Sequence, residues 1–413
     1  MAVTMSGQVA ALASLDLLAT DFRVDSPAVR AAAERHWYAP TALGPAVLHY
    51  ADCVALLRDR RLRQAGMDHL TAQGIADGPL ADMWRATILN VEGADHTRLR
   101  RLVSSAFTRS VVERLRPRMR SLVHHLVDTF APLGGCEFMS AFADHYPPRV
   151  MFDLLGIPET DQDRFLQLGK DLALMLSFSV AEHRERIETA LADLNEVTDR
   201  LCAERRLHPG EDLLSGLVAA ADGDDRLTTQ ELRSMVATMV VAGQDSTRNQ
   251  LGMALWTFTH HPTQWTLLAH RPDLAERAVE EIMRVSPTVP VIWRVANDDV
   301  AHRELTIPAG TRLWLMIGAA HREPATFGED SFDILLDRPA QLSFGHGVHY
   351  CLGAVLARAE MTEALPILAT RLRGLELAGD PVFRPELSGF VGPERLPIRF
   401  DVRLGVDTVR DPC

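Results

Sequence analysis

The stretch from about Thr229 to His261 constrains the fold of this chain more than any other feature. At 1.5 Å per residue it makes a rod roughly 50 Å long, enough to cross the molecule, so the rest of the chain must pack around it. Its start is marked by Thr228-Thr229-Gln230-Glu231, which has the form of a capping box, and Pro262 marks its end. Inside it lies Ala242-Gly243-Gln244-Asp245-Ser246-Thr247. Mid-helix glycine costs about 1 kcal/mol against alanine, and Asp245 and Ser246 compete with the helix backbone for hydrogen bonds. A tolerated polar patch on a solvated face is the plain alternative, but the apolar run Met239-Val240-Val241-Ala242 just before weakens it. Residues so poorly suited to a helix imply another demand on them.

Helical periodicity dominates elsewhere too. Val29 to His36, Asp52 to Arg58, His96 to Phe107, Val111 to Phe130, Glu159 to Met175 and Glu182 to Arg205 read as amphipathic helices. Ala354 to Leu372 reads as a helix that should kink at Pro366. Short strand-like runs occur at Ala46 to Tyr50, Val291 to Val295, Arg312 to Met316 and Pro397 to Asp401. The expected class is mainly α with a minor β region (α+β). Asp222-Gly223-Asp224-Asp225 faintly matches a calcium loop, but Leu227 stands where that loop requires glycine, so a turn is expected.

Length favours two domains by default, yet the 413 residues contain no linker, charge block or repeat that would divide them. We therefore expect a flexible segment over 1–20 and one domain over 21–413. The apolar stretch Val9 to Ala19 is short and broken by Asp16, so neither a signal peptide nor a membrane span is expected. Five scattered cysteines (Cys53, Cys136, Cys202, Cys351 and Cys413) do not form a disulfide framework and suit a reducing, cytoplasmic setting. A net charge of −12 argues against nucleic acid as a partner. Lys170 is the only lysine. Arg98, Arg100, Arg101, Arg109, Arg114, Arg116, Arg118 and Arg120 crowd one stretch, either as a solvated helical face or as a docking patch for an acidic protein.

The chemistry centres on Phe344-Gly345-His346-Gly347-Val348-His349-Tyr350-Cys351-Leu352-Gly353. Gly345 and Gly347 allow a tight turn and a close approach to something flat and bulky. A helix starting just after Cys351 aims free amides and a positive dipole end at the sulfur, which favours thiolate. His346, His349 and Cys351 could be zinc ligands, but no fourth ligand lies nearby and the CxxC spacing is absent. A cysteine nucleophile with a histidine base is a further alternative.

The pattern Phe-x-x-Gly-x-x-x-Cys-x-Gly resembles the haem-binding loop of cytochrome P450 enzymes. Asp245-Ser246 with Gly243, Glu281-Ile282-Met283-Arg284 and His321-Arg322-Glu323-Pro324 resemble further motifs of that family. The resemblance runs from about Asp21 to Phe400. It implies a single compact haem domain with a long central helix, and haem b (iron protoporphyrin IX) bound through Cys351, with Phe344, Gly345 and Gly353 shaping the loop. His96, Arg100, Arg294 and His349 fall at the family's propionate contacts. Gly243 would leave room for dioxygen, Asp245 would deliver protons and Ser246 would hold the alcohol position, followed by Thr247. Threonine is commoner at that position, so Ser246 departs from the pattern. Glu281 and Arg284, with Arg338 as third partner, would brace the fold. Substrate contacts are expected from Met83 and Trp84 in the loop before His96, from Leu174 and Phe178, and from Met235, Met239, Val291, Ile292, Phe390 and Val391. Most are apolar, which suits a hydrophobic ligand.

Such a protein would be a monooxygenase that uses dioxygen to hydroxylate a hydrophobic small molecule, in specialised (natural-product) metabolism. No GxGxxG follows a strand, so electrons are expected from a separate ferredoxin and ferredoxin reductase. The protein is expected to be a monomer without membrane attachment. Epoxidation or oxidative ring coupling is the alternative reaction. A non-catalytic haem-thiolate sensor is a second alternative, disfavoured because a sensor needs no acid–alcohol pair; a thiol hydrolase is a third.

Overall fold

The long rod is present: the computed structural model places one helix over Thr229–His260, 32 residues in all. The structure describes residues 13–19, 21–177, 179–222, 227–385 and 389–402. Thr228 accepts a hydrogen bond from the Glu231 amide while the Glu231 carboxylate takes the Thr228 amide, so both halves of the capping box form. Pro262 ends this helix and also opens the next, Pro262–His270, where its missing N–H costs nothing.

The other expected helices form with small shifts at their ends: Pro27–Arg35, Tyr50–Arg58, Gly93–Ser104, Arg109–Phe130, Glu159–Ala173 and Val180–Leu207. Helix Ala354–Arg371 continues through Pro366. Tyr146–Leu155, Leu213–Asp222 and Ala275–Val285 are also helices. Tyr146–Leu155 is buried along most of its length, so it shows little of the apolar–polar alternation by which a surface helix is recognised.

Helix Tyr146–Leu155 and helix Glu159–Ala173 pack on the long helix, and Ala354–Arg371 packs on Arg109–Phe130. One extensive core runs between these helices. A five-stranded sheet lies beside them in the order Tyr38–Ala39, Ala46–Val47, Arg312–Leu315, Ile292–Ala296 and Leu62–Arg63. Ala46–Val47 runs parallel to Arg312–Leu315, and the other pairings are antiparallel. This architecture, mainly helical with a small β region, is that of a single compact unit.

Of the 1–20 segment, Leu15 and Leu17 are buried beside Ala46 and Trp314, whereas Ala13, Ser14, Asp16 and Leu18 are exposed. One expectation changes here: Met83 and Trp84 lie on a helix, Pro79–Ala86, rather than in a loop. Pro79 at its first position and a left-handed Gly78 before it (φ +92°) account for the start. Gly223, Asp224 and Asp225 lie outside the described residues, and so does Phe178.

Candidate cofactor and oxygen site

The cysteine loop is held by its own backbone. The Cys351 amide donates to Phe344 O (2.9 Å), Gly345 N to Leu342 O (2.8 Å) and Tyr350 N to Gly347 O (3.1 Å). Gly347 has φ +75°, and a Cβ there would stand 2.4 Å from Leu57 O, so only glycine lets the loop press on helix Tyr50–Arg58. His346 accepts from the Gly347 amide and bonds Arg58 (3.0 Å), whereas His349 bonds Glu92 (2.8 Å). The two imidazoles therefore do not converge on the sulfur. Among the described residues, no cluster of three His, Cys, Asp or Glu side chains is arranged to hold a metal ion.

Cys351 is an exposed residue. A Cβ on Gly353 would meet no atom within 4 Å, and one on Gly345 would only graze Ile292 Cδ1 at 3.7 Å. The loop thus presents the sulfur between two uncrowded glycines, as a flat group requires. Burial raises the Cys351 pKa, against the Gly353 amide and the Arg100 and Arg358 charges, which pull it down. Coordination to a metal favours the thiolate.

Around the loop gather the expected propionate partners. The Arg100 guanidinium donates to Tyr350 O (2.7 Å). The His96 ring lies 4.3 Å from that of His349, and burial, with His349 and Arg100 nearby, pulls the His96 pKa down to about 4. Arg294 is only 4% exposed, and its hydrogen bonds go to neutral acceptors, Gln64 Oε1 (3.0 Å) and Trp293 O (2.9 Å). Burial lowers its pKa to about 10. A buried guanidinium without a hydrogen-bonded carboxylate is costly, and two propionates would relieve it. The residues present therefore fit haem. Glu92 and Gln64 were not foreseen. Both become visible only when the chain brings them against His349 and Arg294.

On the long helix the picture shifts by one residue. The open face of Gly243 points at Met151, where a Cβ would lie 2.5 Å from Cε and 2.9 Å from Cβ. The space attributed to Gly243 is thus a packing demand of helix Tyr146–Leu155. Its neighbour Ala242 is the exposed small residue. Ser246, one turn further on, donates its hydroxyl to Ala242 O (2.8 Å). Asp245 is buried and ion-paired: Arg384 Nη1 reaches both carboxylate oxygens (2.7 and 3.0 Å), and Asn249 Nδ2 donates to Oδ1 (3.1 Å). Thr247 hydrogen-bonds Glu360, a fully buried carboxyl on helix Ala354–Arg371 whose pKa is driven well up by desolvation. Arg384 and Glu360 were not foreseen, since nothing local marks either.

The bracing group assembles. Glu281 takes two hydrogen bonds from Arg284, each 2.8 Å, with both side chains nearly inaccessible. Arg338 Nε lies 3.6 Å from Glu281 Oε2. His321, fully buried, bonds Arg284 O (3.1 Å) and accepts from the Leu342 amide (2.7 Å), tying this cluster to the strand-like approach to the cysteine loop. Burial lowers its pKa to about 3.

The pocket candidates divide. Met83, Trp84, Met235 and Met239 are buried in the main core, and Trp84 Nε1 donates to Gly66 O (2.9 Å). Val391 is pinned to Thr288 by two backbone-directed bonds. Leu174, Val291, Ile292 and Phe390 are half-buried. Most of the crowded arginines are engaged within the chain: Arg98 with Glu231, Arg116 and Arg120 with Glu363, and Arg118 with Asp153.

Known proteins with these features were compared. The family model described as Cytochrome P450 matches residues 263–387. The luteothin monooxygenase of Streptomyces thioluteus is 39% identical over 94% of this chain and 95% of its own. The mycinamicin IV hydroxylase/epoxidase of Micromonospora griseorubida is 37% identical over 80% of this chain and 82% of its own. The crystal structure of CalO2 superposes with a TM-score of 0.85 at 31% identity, covering 93% of this chain and 99% of that one.

Proposed function

The chain belongs to the cytochrome P450 family, and from that premise we propose how its residues serve a monooxygenase that hydroxylates a hydrophobic natural product. Haem b held through a cysteine thiolate is the family's cofactor, and when bound it supplies dioxygen activation with two electrons from a redox partner. The remaining chemistry belongs to the protein.

Cys351 would hold the haem iron. His96, Arg100, Arg294 and His349 would neutralise the propionates, with Phe344, Gly345 and Gly353 shaping the bed. Asp245 and Ser246 would hold and pass protons, and Thr247 would anchor that segment to Glu360. Half-buried Leu174, Val291, Ile292 and Phe390 line the substrate side, and an apolar lining favours an apolar ligand. The observation that carries the assignment is Arg294: a buried cation whose hydrogen bonds reach only neutral acceptors, in a chain whose loop cysteine, Cys351, is exposed.

Electrons come from a ferredoxin. Exposed Val348, Tyr350 and Val355 surround the outer side of the cysteine loop, with exposed Arg58 beside them. An apolar centre with a cationic edge suits a small acidic protein. We place the protein in the cytoplasm as a monomer. Among the described residues, no helix is long and apolar enough to cross a membrane.

The test begins with purified protein reduced under carbon monoxide. The far-red Soret band of a thiolate-ligated haem is expected, and its absence would remove Cys351 as ligand. Screening hydrophobic compounds for the low- to high-spin shift, then turnover with a surrogate ferredoxin and reductase, should give a product heavier by one oxygen. Peroxide without product from every ligand that shifts the spin state would defeat the monooxygenase assignment.

A further inference from the structure

Arg312 is a half-buried cation to which the fold gives no anion. It opens strand Arg312–Leu315. Among the described residues, no acceptor engages its side chain, and its Nε is buried without a partner. Burial lowers its pKa, against the charge of Asp68, which raises it, and with that of Arg63, which lowers it further. The carboxylate is already taken. Asp68 Oδ2 accepts from Arg63 Nη2 (2.9 Å), while Arg63 Nη1 donates to Gln64 O (2.8 Å) and Ala65 O (3.1 Å).

The sheet explains this placement. Arg63 and Arg312 both pair with Val295, from the strands on either side of it, so the three side chains share one face. Trp293 and Trp314, also paired, lie two residues along on that face, whereas Arg294 belongs to the opposite one. The Arg312 guanidinium sits 4.4 Å from the Trp293 ring centroid and 5.8 Å from that of Trp314. The two indoles are themselves stacked, their planes 13° apart. An aromatic face attracts the cation, but it does not take up the fork of N–H donors that lies in the guanidinium plane. With Nε cut off from water, the Nη end is where an anion can compensate the charge.

This spot adjoins the substrate side proposed above. Val291 directly precedes strand Ile292–Ala296 and packs in the same cluster as Trp293 and Trp314. The Arg312 charge also reaches His69, whose Nε2 bonds Met175 O (3.1 Å) in the turn Leu174–Leu176. Val291 and Leu174 are two of the four residues assigned to the ligand. Burial holds His69 below its ordinary pKa, so the two arginines outweigh Asp68 and the patch is cationic.

We propose that Arg312, stacked on Trp293, binds the oxyanion head, carboxylate or phosphate, of an amphiphilic substrate whose apolar body continues to the substrate side. Two oxygens side by side match the paired donors of a guanidinium, and the indole beside it suits the apolar part next to the head. Arg63 keeps Asp68 engaged, so that carboxylate does not compete for Arg312. The inference rests on the hydrophobic-substrate reading above and narrows it from apolar to amphiphilic.

Calorimetry on the haem-loaded protein tests this with dodecanoate against dodecan-1-ol, which share a chain and differ in the head. Dodecyl phosphate and inorganic phosphate are further arms. Dodecanoate and dodecyl phosphate should each bind about tenfold tighter than the alcohol, or more, because their hydrogen bonds to the guanidinium are charge-assisted. In Arg312→Gln that advantage should vanish while alcohol binding stays unchanged. Arg312→Lys keeps the charge without the fork and should retain part of the advantage. Should the glutamine variant not fold, the lysine variant and the wild-type comparison decide. Inorganic phosphate should bind far more weakly than dodecyl phosphate; equal affinity would make a free ion the ligand and overturn the amphiphile. Equal wild-type affinity for dodecanoate and the alcohol would overturn it too. So would a parallel loss of both in Arg312→Gln, the result of an arginine that only braces Trp293. If dodecanoate has no advantage while uncharged ligands still shift the spin state and turn over, the oxyanion site fails and the monooxygenase stands. If the thiolate Soret band is absent while the Arg312-dependent preference persists, the reverse holds.

Discussion

The cysteine loop and the acid–alcohol segment, which we propose serve one cofactor, are organised on different scales. Between Leu342 and Cys351 the bonds that shape the loop join residues a few positions apart, and left-handed Gly345 (φ +69°) and Gly347 make the turns. Asp245 lies on a regular helix, yet its ion-pair partner is Arg384, 139 positions away. Thr247 is likewise held by Glu360 from another helix. A ligand loop must have one shape, so its shape is written locally. An ion pair needs only proximity, and its partner can come from anywhere the fold brings close.

The largest effect is expected on the loop side. Cys351→Ser should abolish the carbon monoxide Soret band of the thiolate complex entirely, while the apo-protein keeps its far-ultraviolet circular dichroism. A surviving band would break the contrast at its first term.

Next is the brace beneath the loop. Glu281→Gln takes the hydrogen-bonded carboxylate from the Arg284 charge, 1% exposed, and leaves only Asp330 at 3.9 Å. Removing one partner of a buried pair costs about 3–5 kcal/mol, so urea unfolding should shift by that order and haem retention should fall.

A pH dependence follows from His321 in the same cluster. Its folded pKa of about 3 lies below its ordinary value of 6.5. Between these values the unfolded chain binds the proton and the folded chain does not, so stability rises with pH across that window. Acidification from pH 6.5 towards 3 should lower the apo-protein melting temperature. Replacing His321 with Gln should flatten that slope, although the variant starts less stable.

Gly243→Ala sharpens the comparison on the helix side. A methyl there meets Met151 Cβ and Cγ as well as its mobile end, so about 1–3 kcal/mol of overpacking should outweigh the helix propensity gained. The loss should appear in thermal unfolding and be relieved by Met151→Ala, with carbon monoxide binding little changed. An unaltered melting temperature with impaired carbon monoxide binding would return Gly243 to the oxygen space.

The smallest change is expected from Ser246→Thr. The added methyl restricts the rotamer of the hydroxyl that now bonds Ala242 O. Peroxide released per product should decrease modestly, and an equal or greater yield would show that the serine rotamer does not limit coupling.

Much of this molecule was legible before folding. The long helix, its capping box, the cysteine loop and the Glu281–Arg284 spacing are local patterns, and each forms. Misplacements arose where packing decides. Met83 and Trp84 were read as loop because their short helix lacks room for a periodic signal. The arginine-rich stretch stayed open between a solvated face and a docking patch because its partners Glu231, Glu363 and Asp153 lie elsewhere in sequence.

The sequence by itself singled out the candidate atoms for the proposed chemistry: the Cys351 sulfur, the Asp245 carboxyl and the Ser246 hydroxyl, each on an element its neighbours specify. Tertiary structure decided their state. Burial raises the Cys351 pKa despite the helix behind it, Met151 claims the open face of Gly243, and Arg384 covers Asp245. Backbone geometry depends on bonds between near neighbours, which the order of residues fixes. Charge and space depend on everything within a few ångströms, and only the folded chain determines what that is.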